Sequence, residues 1–239
     1  MKASIGAVLF RYRNILGPAL FLLALLLGQS TYPLGQARLN TLLDGAGVLL
    51  VLLGEALRVA TIGYEYIERG GKDRKVHASR LVQGGLFDRC RNPLYLGNIL
   101  LAFGFALVVN STAFYLLALP FVLFSYSCIV AAEEAFLARR FGAEYAAYCR
   151  RVPRWRPRFR GWRRCVAGIA FNWRRVLVKE YNTIFIATIA LIGLKLWSDY
   201  QVVGTIALPR ADYLMAGLGA WLLLYLAIRS LKKWGYVSA

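Results

Sequence analysis

The sequence predicts an all-α protein, a polytopic bundle of about six transmembrane helices. The first observation behind this fold class is the composition, with 59% hydrophobic residues and a mean hydropathy of +0.50. Such a composition excludes a disordered chain and an ordinary soluble domain. The second is that 30 Lys and Arg residues face only 12 Asp and Glu residues, a net charge of +18. High charge combined with high apolarity is typical of a membrane protein whose charged residues lie on its aqueous faces.

Six apolar stretches define the predicted spans, at about 15–32, 42–62, 95–109, 112–130, 184–197 and 213–228. A helix needs roughly 20 apolar residues to cross a bilayer, so the third and fifth spans are predicted to be short. Only Asn110 and Ser111 separate the third span from the fourth. These two spans are therefore predicted to form a tight helical hairpin.

The distribution of basic residues predicts the orientation. If both termini are cytoplasmic, the outer loops are about 33–41, 110–111 and 199–212. These loops contain only Arg38 and Arg210, and Lys195 lies near an outer helix end. The other basic residues lie mostly in 69–91 and 139–179, which is the positive-inside asymmetry. We therefore expect an integral protein of the cytoplasmic (inner) membrane with both termini in the cytoplasm.

The basic and aromatic run at 150–164 has two interpretations. Its composition resembles that of a groove for single-stranded nucleic acid. Beside a membrane, however, such a segment more simply binds anionic lipid headgroups. We expect anionic lipids as partners of this segment and no nucleic acid.

The segment 75–97 departs from ordinary loop composition. Its pair Gly84-Gly85 permits a sharp turn with positive φ. Pro93 suits the first turn of the third span, where its missing N–H would have no partner in any case. The backbone donors there, together with Arg91, predict a local anion site. The alternative is an interfacial anchor of Arg91 and Tyr95.

The segment 133–153 is predicted to continue helically out of the fourth span. Glu134, Leu137, Phe141, Tyr145 and Tyr148 follow each other at helical spacing, which places a carboxylate at the head of an aromatic and apolar stripe. An interfacial amphipathic helix explains the stripe but not two adjacent acids at the membrane boundary, where ionisable groups are often functional.

Arg58 in the second span lies three residues after Glu55. Arg58 and Glu55 are expected to form a packed ion pair, to reach into the same cavity, or to snorkel to the headgroups. His77 is either a general base or a solvated loop histidine.

Five short motifs, in order, resemble the signature of the membrane methyltransferases that include the isoprenylcysteine carboxyl methyltransferases and the phospholipid methyltransferases. They read LVQGGLF at 81–87, RNPLYLG at 91–97, EEAFL at 133–137, GAEYAAY at 142–148 and Val152-Pro153. The family's frequent histidine after the arginine is Asn92 here. Residues 125–132 also lack the arginine that carboxyl methyltransferases usually carry before the paired glutamates, which argues against a carboxylate acceptor.

The resemblance implies a pocket for S-adenosylmethionine in a cytoplasmic cofactor-binding cap, with a lipid-like acceptor that enters from the bilayer. It implies that Arg91 holds the cofactor's carboxylate, Glu133 or Glu134 its ammonium or ribose, and Tyr95 its adenine. No metal is expected. The predicted catalytic residues are Arg91, Asn92 and Glu134. The predicted cofactor-binding residues are His77, Leu81, Gly85, Arg91, Pro93, Tyr95, Gly97, Glu133, Glu134, Tyr145 and Tyr148.

The resemblance divides the chain into a methyltransferase core at 1–160, with the motifs at 75–160, and a region at 161–239. The second region is predicted to be a basic linker followed by two further transmembrane helices. Two other functions remain open. One is an NADPH-dependent membrane reductase of the sterol-reductase type, which shares a similar Arg-x-Pro-x-Tyr-x-Gly signature. The other is a non-catalytic lipid-binding protein.

Overall fold

The fold, taken from a computed structural model, is a bundle of long helices. The structure describes residues 1–66, 76–158, 160–161, 165–204 and 208–234, with only the backbone described at 208–214. The long helices are α1 (Lys2–Leu27), α2 (Ala37–Tyr64), α3 (Pro93–Val109), α4 (Leu119–Arg151), α5 (Trp173–Val203) and α6 (Leu208–Lys233). A π-helical turn, Phe114–Ala118, leads into α4, and a 3₁₀ turn, Gly85–Asp88, precedes α3.

The predicted fold class is confirmed. Among the described residues, five helices are long and apolar enough to cross a membrane, and α3 is a shorter apolar helix of 17 residues. At 1.5 Å per residue α3 is about 26 Å long, slightly less than a typical hydrocarbon core. The prediction of a short fifth span was wrong, because α5 continues well beyond 184–197 at both ends and has 31 residues. The first helix likewise begins at Lys2, before the predicted span.

Glycines bring α2 and α3 into close contact. A Cβ atom on Gly47 would lie 2.7 Å from the carbonyl oxygen of Gly104, and one on Gly54 would lie 2.7 Å from the carbonyl oxygen of Gly97. Small residues at such positions let two membrane helices pack backbone to backbone. This contact fixes the end of α2 against the start of α3, where the predicted site begins.

Contacts between the helices define the order of the bundle. Helix α1 packs on α4, whereas α5 packs on α2, α3 and α6. At one end of the bundle, Asn110 adopts a left-handed conformation and donates a hydrogen bond to the carbonyl oxygen of Thr31, so the predicted hairpin turn is confirmed. At the opposite end, Phe10 of α1 and Lys232 of α6 line the same cavity. Residues of α1 and the end of α6 therefore lie on the side of the predicted site.

The last part of α4 and the loops beside it form a layer over this end of the bundle. Helix α4 continues from its apolar part to Arg151, as predicted, with a break at Gly142, whose φ is +48°. We call residues 76–92 and 133–158 the cap. Within it, Tyr145, Tyr148 and Val152 pack against Leu81 and Leu137, so the predicted stripe faces the loop that leads into α3.

Candidate active site

A cavity of about 680 Å³ lies between the cap and the helix ends. Its walls come from α1, the end of α2, the loop at 76–92, the start of α3, the middle of α4, the start of α5 and the end of α6. Its size is within the range of small-molecule and cofactor sites. The loop entering α3 and the helix leaving the fourth span thus meet at one half-open cavity.

An ion cluster of three residues joins these two segments. The Arg91 Nη1 atom lies 2.9 Å from Glu134 Oε1. Glu134 also accepts hydrogen bonds from Arg154, whose Nε atom lies 3.0 Å from Oε1. Burial lowers the pKa of Arg91, but the carboxylate of Glu134, together with Cys149 and Tyr145, more than offsets this effect, and the pKa of Arg91 lies above its ordinary value. Arg91 is therefore a permanent cation at the cavity wall.

Beside this cluster, Glu133 faces an aromatic pair. The hydroxyl of Tyr95 donates a hydrogen bond of 2.7 Å to Glu133 Oε1. The ring of Tyr95 lies 5.1 Å from that of Tyr126, centre to centre. The adjacent acids consequently have different surroundings, Glu134 between two guanidinium groups and Glu133 beside a phenol.

Hydrogen bonds fasten the loop before α3 to the chain that follows α4. The backbone N–H of Arg91 donates to the carbonyl oxygen of Pro153 at 2.9 Å, and the side-chain amide of Asn92 donates to that of Arg154 at 3.0 Å. The hydroxyl of Tyr148 donates to the carbonyl oxygen of Phe87 at 2.8 Å. Cys90 is buried in this junction, and the burial raises the pKa of its thiol. The chain at Pro153 and Arg154 thus presents carbonyl groups to the 90–92 segment.

The floor of the cavity contains a buried ion pair that involves α5. Arg58 Nη2 lies 2.7 Å from Glu180 Oε2, and the two side chains are 3% and 0% exposed. Arg58 also donates to Asn98 Oδ1 on α3, and to Thr183 Oγ1 at 3.1 Å. Arg58 therefore lies at the cavity and does not snorkel to the surface, and its ion pair is with Glu180 on α5, whereas the predicted partner was Glu55.

Nine of the twelve predicted site residues line the cavity. They are His77, Leu81, Arg91, Asn92, Tyr95, Glu133, Glu134, Tyr145 and Tyr148. Gly85, Pro93 and Gly97 lie outside the lining and support it. Gly85 makes the predicted turn at φ +55°, Pro93 starts α3, and a Cβ on Gly97 would lie 2.6 Å from Cγ of Arg58.

The sequence reasoning missed several residues of the site. Arg154 completes the ion cluster although it was assigned to a lipid-binding segment, and Glu180 comes from a region outside the resemblance. No local pattern marks either residue.

Within the segment 150–164, Arg156, Arg158 and Arg160 are exposed, while 159 and 162–164 lie outside the described residues.

Comparison with known protein families gives a match over part of the chain. The family model of the phospholipid methyltransferases matches residues 44–144, which confirms the predicted resemblance. The matched segment runs from α2 to the last part of α4 and contains Arg58, Arg91, Tyr95 and both adjacent glutamates.

Two curated proteins are also similar to the chain. The cobalt-zinc-cadmium resistance protein CzcN of Cupriavidus metallidurans is 37% identical over 119 residues, 48% of this chain and 53% of that protein. The nickel-cobalt-cadmium resistance protein NccN of Alcaligenes xylosoxydans xylosoxydans is 31% identical over 138 residues, 57% of this chain and 59% of that protein. The chain thus spans between half and two thirds of the length of these relatives. No solved structure matches it.

Proposed function

We propose that this chain, a membrane protein whose residues 44–144 carry the phospholipid methyltransferase family signature, transfers a methyl group from S-adenosylmethionine to a lipid-like or other hydrophobic acceptor. The observation that carries the proposal is the contact between Arg91 and Glu134 at the wall of a 680 Å³ cavity, beside Glu133 and Tyr95. This set joins a cation, two acids and aromatic rings in one space.

The residues present fit the cofactor. S-adenosylmethionine carries a carboxylate, an ammonium group, a ribose diol and an adenine ring. Arg91 would hold the carboxylate, Glu133 the ammonium group or the ribose hydroxyls, and Tyr95 the adenine. Glu134 lies between Arg91 and Arg154, so we assign it mainly to the orientation of Arg91.

The bound cofactor supplies a methyl group already activated by a positively charged sulfur. The protein therefore has to align the acceptor with that methyl group and exclude water, which accounts for most of the barrier reduction in such a displacement. Arg91 just before α3 and Glu133 on α4 would orient the ligand. Asn92, through its bond to the carbonyl oxygen of Arg154, holds the two segments of the cap together.

Calorimetry on the purified protein in detergent tests the cofactor. Wild type is expected to bind S-adenosylmethionine, and Arg91→Gln and Glu133→Gln are expected to bind it at least tenfold more weakly, because each removes a charge-assisted hydrogen bond. Arg139→Gln is the matched control, since Arg139 lies exposed on the same helix as Glu133. Absence of binding to folded wild type would refute the proposal.

The same experiment with NADPH tests the main alternative function. Binding of NADPH in preference to S-adenosylmethionine would favour a membrane reductase. Binding of neither, with retained lipid binding, would favour a non-catalytic lipid-binding protein.

We further propose that the cavity faces the cytoplasm of an inner membrane, because basic residues concentrate at this end of the bundle. Arg156, Arg158 and Arg160 would bind anionic headgroups there. A single cysteine introduced at Arg156 is expected to be protected from an impermeant maleimide in intact cells and labelled after lysis. Labelling in intact cells would contradict this orientation.

The relatives' names suggest a setting for the reaction. We propose that the methylated acceptor contributes to tolerance of divalent cobalt, zinc, cadmium or nickel. A strain that lacks the gene is expected to regain tolerance with wild type but not with Arg91→Gln. Equal metal tolerance with wild type and with Arg91→Gln would show that resistance does not depend on the methyl transfer.

A further inference from the structure

Three hydrogen-bond chains among the described residues end at the cavity wall formed by α4 and α5. Their last members are Tyr126 of α4 and Asn182 and Thr183 of α5, and all three side chains line the cavity. Asn182 and Thr183 follow residue 144, so they lie outside the segment that the family model matches. The direction of each chain decides whether its last group offers a ligand a donor or an acceptor.

The first chain begins at Arg58 and ends at Thr183. An arginine side chain can only donate hydrogen bonds, so its partner has to accept. Arg58 Nη2 lies 3.1 Å from Thr183 Oγ1, which is therefore the acceptor. Thr61 and Thr188 donate their hydroxyls to carbonyl oxygens of the preceding helical turn, whereas Thr183 makes no such bond within the part of the chain that the structure describes. The hydroxyl proton of Thr183 is consequently left for the cavity.

Arg58 also sets the direction of the second chain, which passes through Asn98 of α3. Arg58 Nη1 donates to Asn98 Oδ1, so the amide nitrogen is the end of Asn98 that remains for its next partner. That partner is the hydroxyl of Tyr126. Because an amide N–H can only donate, the phenol oxygen accepts, and the phenol proton of Tyr126 is left for the cavity.

The third chain begins at Arg229 of α6. Arg229 Nη1 donates to the hydroxyl oxygen of Tyr225 at 3.3 Å, and this hydroxyl donates to Asn182 Oδ1 at 3.0 Å. The ring of Tyr225 stacks on that of Phe185 with their centres 4.1 Å apart, which holds the hydroxyl in place. The amide nitrogen of Asn182, which can only donate, is therefore the end that remains for the cavity.

All three chains end in a donor because each of them begins at a guanidinium group. A ligand satisfies these donors with lone pairs, whereas a ligand hydroxyl would bring a proton for which the three groups offer no acceptor. The terminal groups are neutral, and neutral donors do not repay the desolvation of a full charge, which costs far more than that of a carbonyl group. An uncharged carbonyl group, with two lone pairs and no proton, fits this arrangement.

We propose that Tyr126, Asn182 and Thr183 form a subsite for an uncharged carbonyl group, and that the methyl acceptor is a hydrophobic molecule that carries such a group. The identification of this molecule as the methyl acceptor rests on the proposed function, whereas the subsite itself is defined by the three donors. Phe10 and Leu137 of the same lining suit the hydrocarbon part of the molecule.

The test uses 2-tridecanone labelled with ¹³C at the carbonyl carbon, titrated into the full chain in dodecyl maltoside, a detergent without a carbonyl group. Isotope-edited infrared spectroscopy then reports both the bound fraction and the carbonyl stretching frequency. Wild type is expected to bind the ketone and to lower this frequency relative to ketone in detergent alone, because hydrogen bonds weaken the C=O bond. Absence of binding to folded wild type, or an unshifted frequency of the bound ketone, would overturn the subsite.

Three variants each remove one donor. Tyr126→Phe, Asn182→Leu and Thr183→Val are each expected to bind the ketone roughly two- to tenfold more weakly, since each loses one hydrogen bond to it. The frequency of the ketone that still binds is expected to return part of the way to its value in detergent. Unchanged affinity in all three variants would overturn the subsite, and thermal unfolding verifies that the variants are folded.

Two controls match these variants in chemistry and lie outside the lining. Thr188→Val and Tyr115→Phe are expected to bind the ketone as wild type does, because these hydroxyls donate to Ile184 and Asn110 and not into the cavity. Thr183→Ser keeps the hydroxyl and is expected to keep the affinity. A loss in Thr183→Ser or in the controls as large as that in Thr183→Val would contradict a role for the hydroxyl itself.

Two related probes test the chemical class of the ligand. 2-Tridecanol is expected to bind more weakly than the ketone because of its own proton, and tridecanoate more weakly because of the desolvation of its charge. Tridecanoate that binds as tightly as the ketone would overturn the uncharged group in favour of an anion. Equal binding of 2-tridecanol would overturn the selection of a carbonyl group.

S-adenosylmethionine binding is measured separately on the same samples, and the three variants are expected to retain it. Loss of cofactor binding in these variants would assign the donors to the cofactor and overturn the subsite. If wild type binds the ketone with a shifted frequency but does not bind the cofactor, the methyltransferase proposal fails while the carbonyl subsite stands. If it binds the cofactor but not the ketone, the subsite fails while the proposed function stands.

Discussion

Replacement of Glu180 by glutamine is expected to destabilise the protein strongly, because it leaves the guanidinium of Arg58 charged and buried. The two side chains are 3% and 0% exposed and lie 2.7 Å apart. Removal of one partner from a buried ion pair costs about 3–5 kcal/mol. For a chain of this length each kcal/mol lowers Tm by roughly 2–4 °C, so the expected decrease is roughly 6–20 °C. Thermal unfolding in detergent, followed by far-UV circular dichroism, measures it.

The double variant Arg58→Met/Glu180→Leu is the informative companion. Apolar residues of similar volume often replace a buried ion pair without loss of stability, so its Tm is expected to lie close to that of wild type. Arg80→Met is the matched control, since it breaks an ion pair in which Arg80 is 60% exposed, and it is expected to cost less than about 1 kcal/mol. A decrease for Glu180→Gln no larger than that for Arg80→Met would refute the reasoning.

Three other predictions concern packing, the cap and the buried thiol. Gly47→Ala is expected to lower the free energy of unfolding by about 1–3 kcal/mol, because its Cβ would meet the backbone of α3. Gly45→Ala on the same helix is the control, since a Cβ there meets nothing within 4 Å. Equal Tm values for the two variants would contradict the close contact between α2 and α3. Tyr148→Phe is expected to cost about 1 kcal/mol through loss of the hydrogen bond to Phe87, and faster proteolysis of the cap would accompany it. Cys90 is expected to react with a maleimide much more slowly in the folded than in the denatured protein, because burial both shields the thiol and raises its pKa. Equal reaction rates in the folded and denatured protein would contradict its burial in the junction.

Several features of the candidate site could be predicted from local patterns. The helical spacing from Glu134 to Tyr148 predicted a stripe, and that stripe packs on the loop that contains Leu81. The pair Asn110-Ser111 predicted the hairpin, because a polar dipeptide between apolar runs leaves no room for a longer connection. Short motifs in a fixed order predicted that Arg91 and the two glutamates meet, and their spacing along the chain is set by the helices between them.

Other features could not be predicted, because the partners are distant in sequence and lack a recognisable pattern. Arg154 reaches Glu134 only because of the path that the chain takes after Val152. The same segment supplies the carbonyl groups that accept from Arg91 and Asn92. Gly97 was assigned to the site, yet its missing side chain makes room for Arg58 on α2.

The sequence by itself determined that this is a helical membrane protein with basic residues at one end and a methyltransferase-like signature in its middle. Hydropathy and motif spacing are properties of contiguous residues, and an apolar run that is long enough to cross the bilayer forms a helix there. Only the tertiary structure decided that α5 and α6 complete the cavity, with Glu180 holding Arg58 across 122 positions of sequence and two lysines lining the same cavity. Such contacts depend on which helix faces pack together, and glycine-mediated backbone contact and burial determine that packing once the helices have formed.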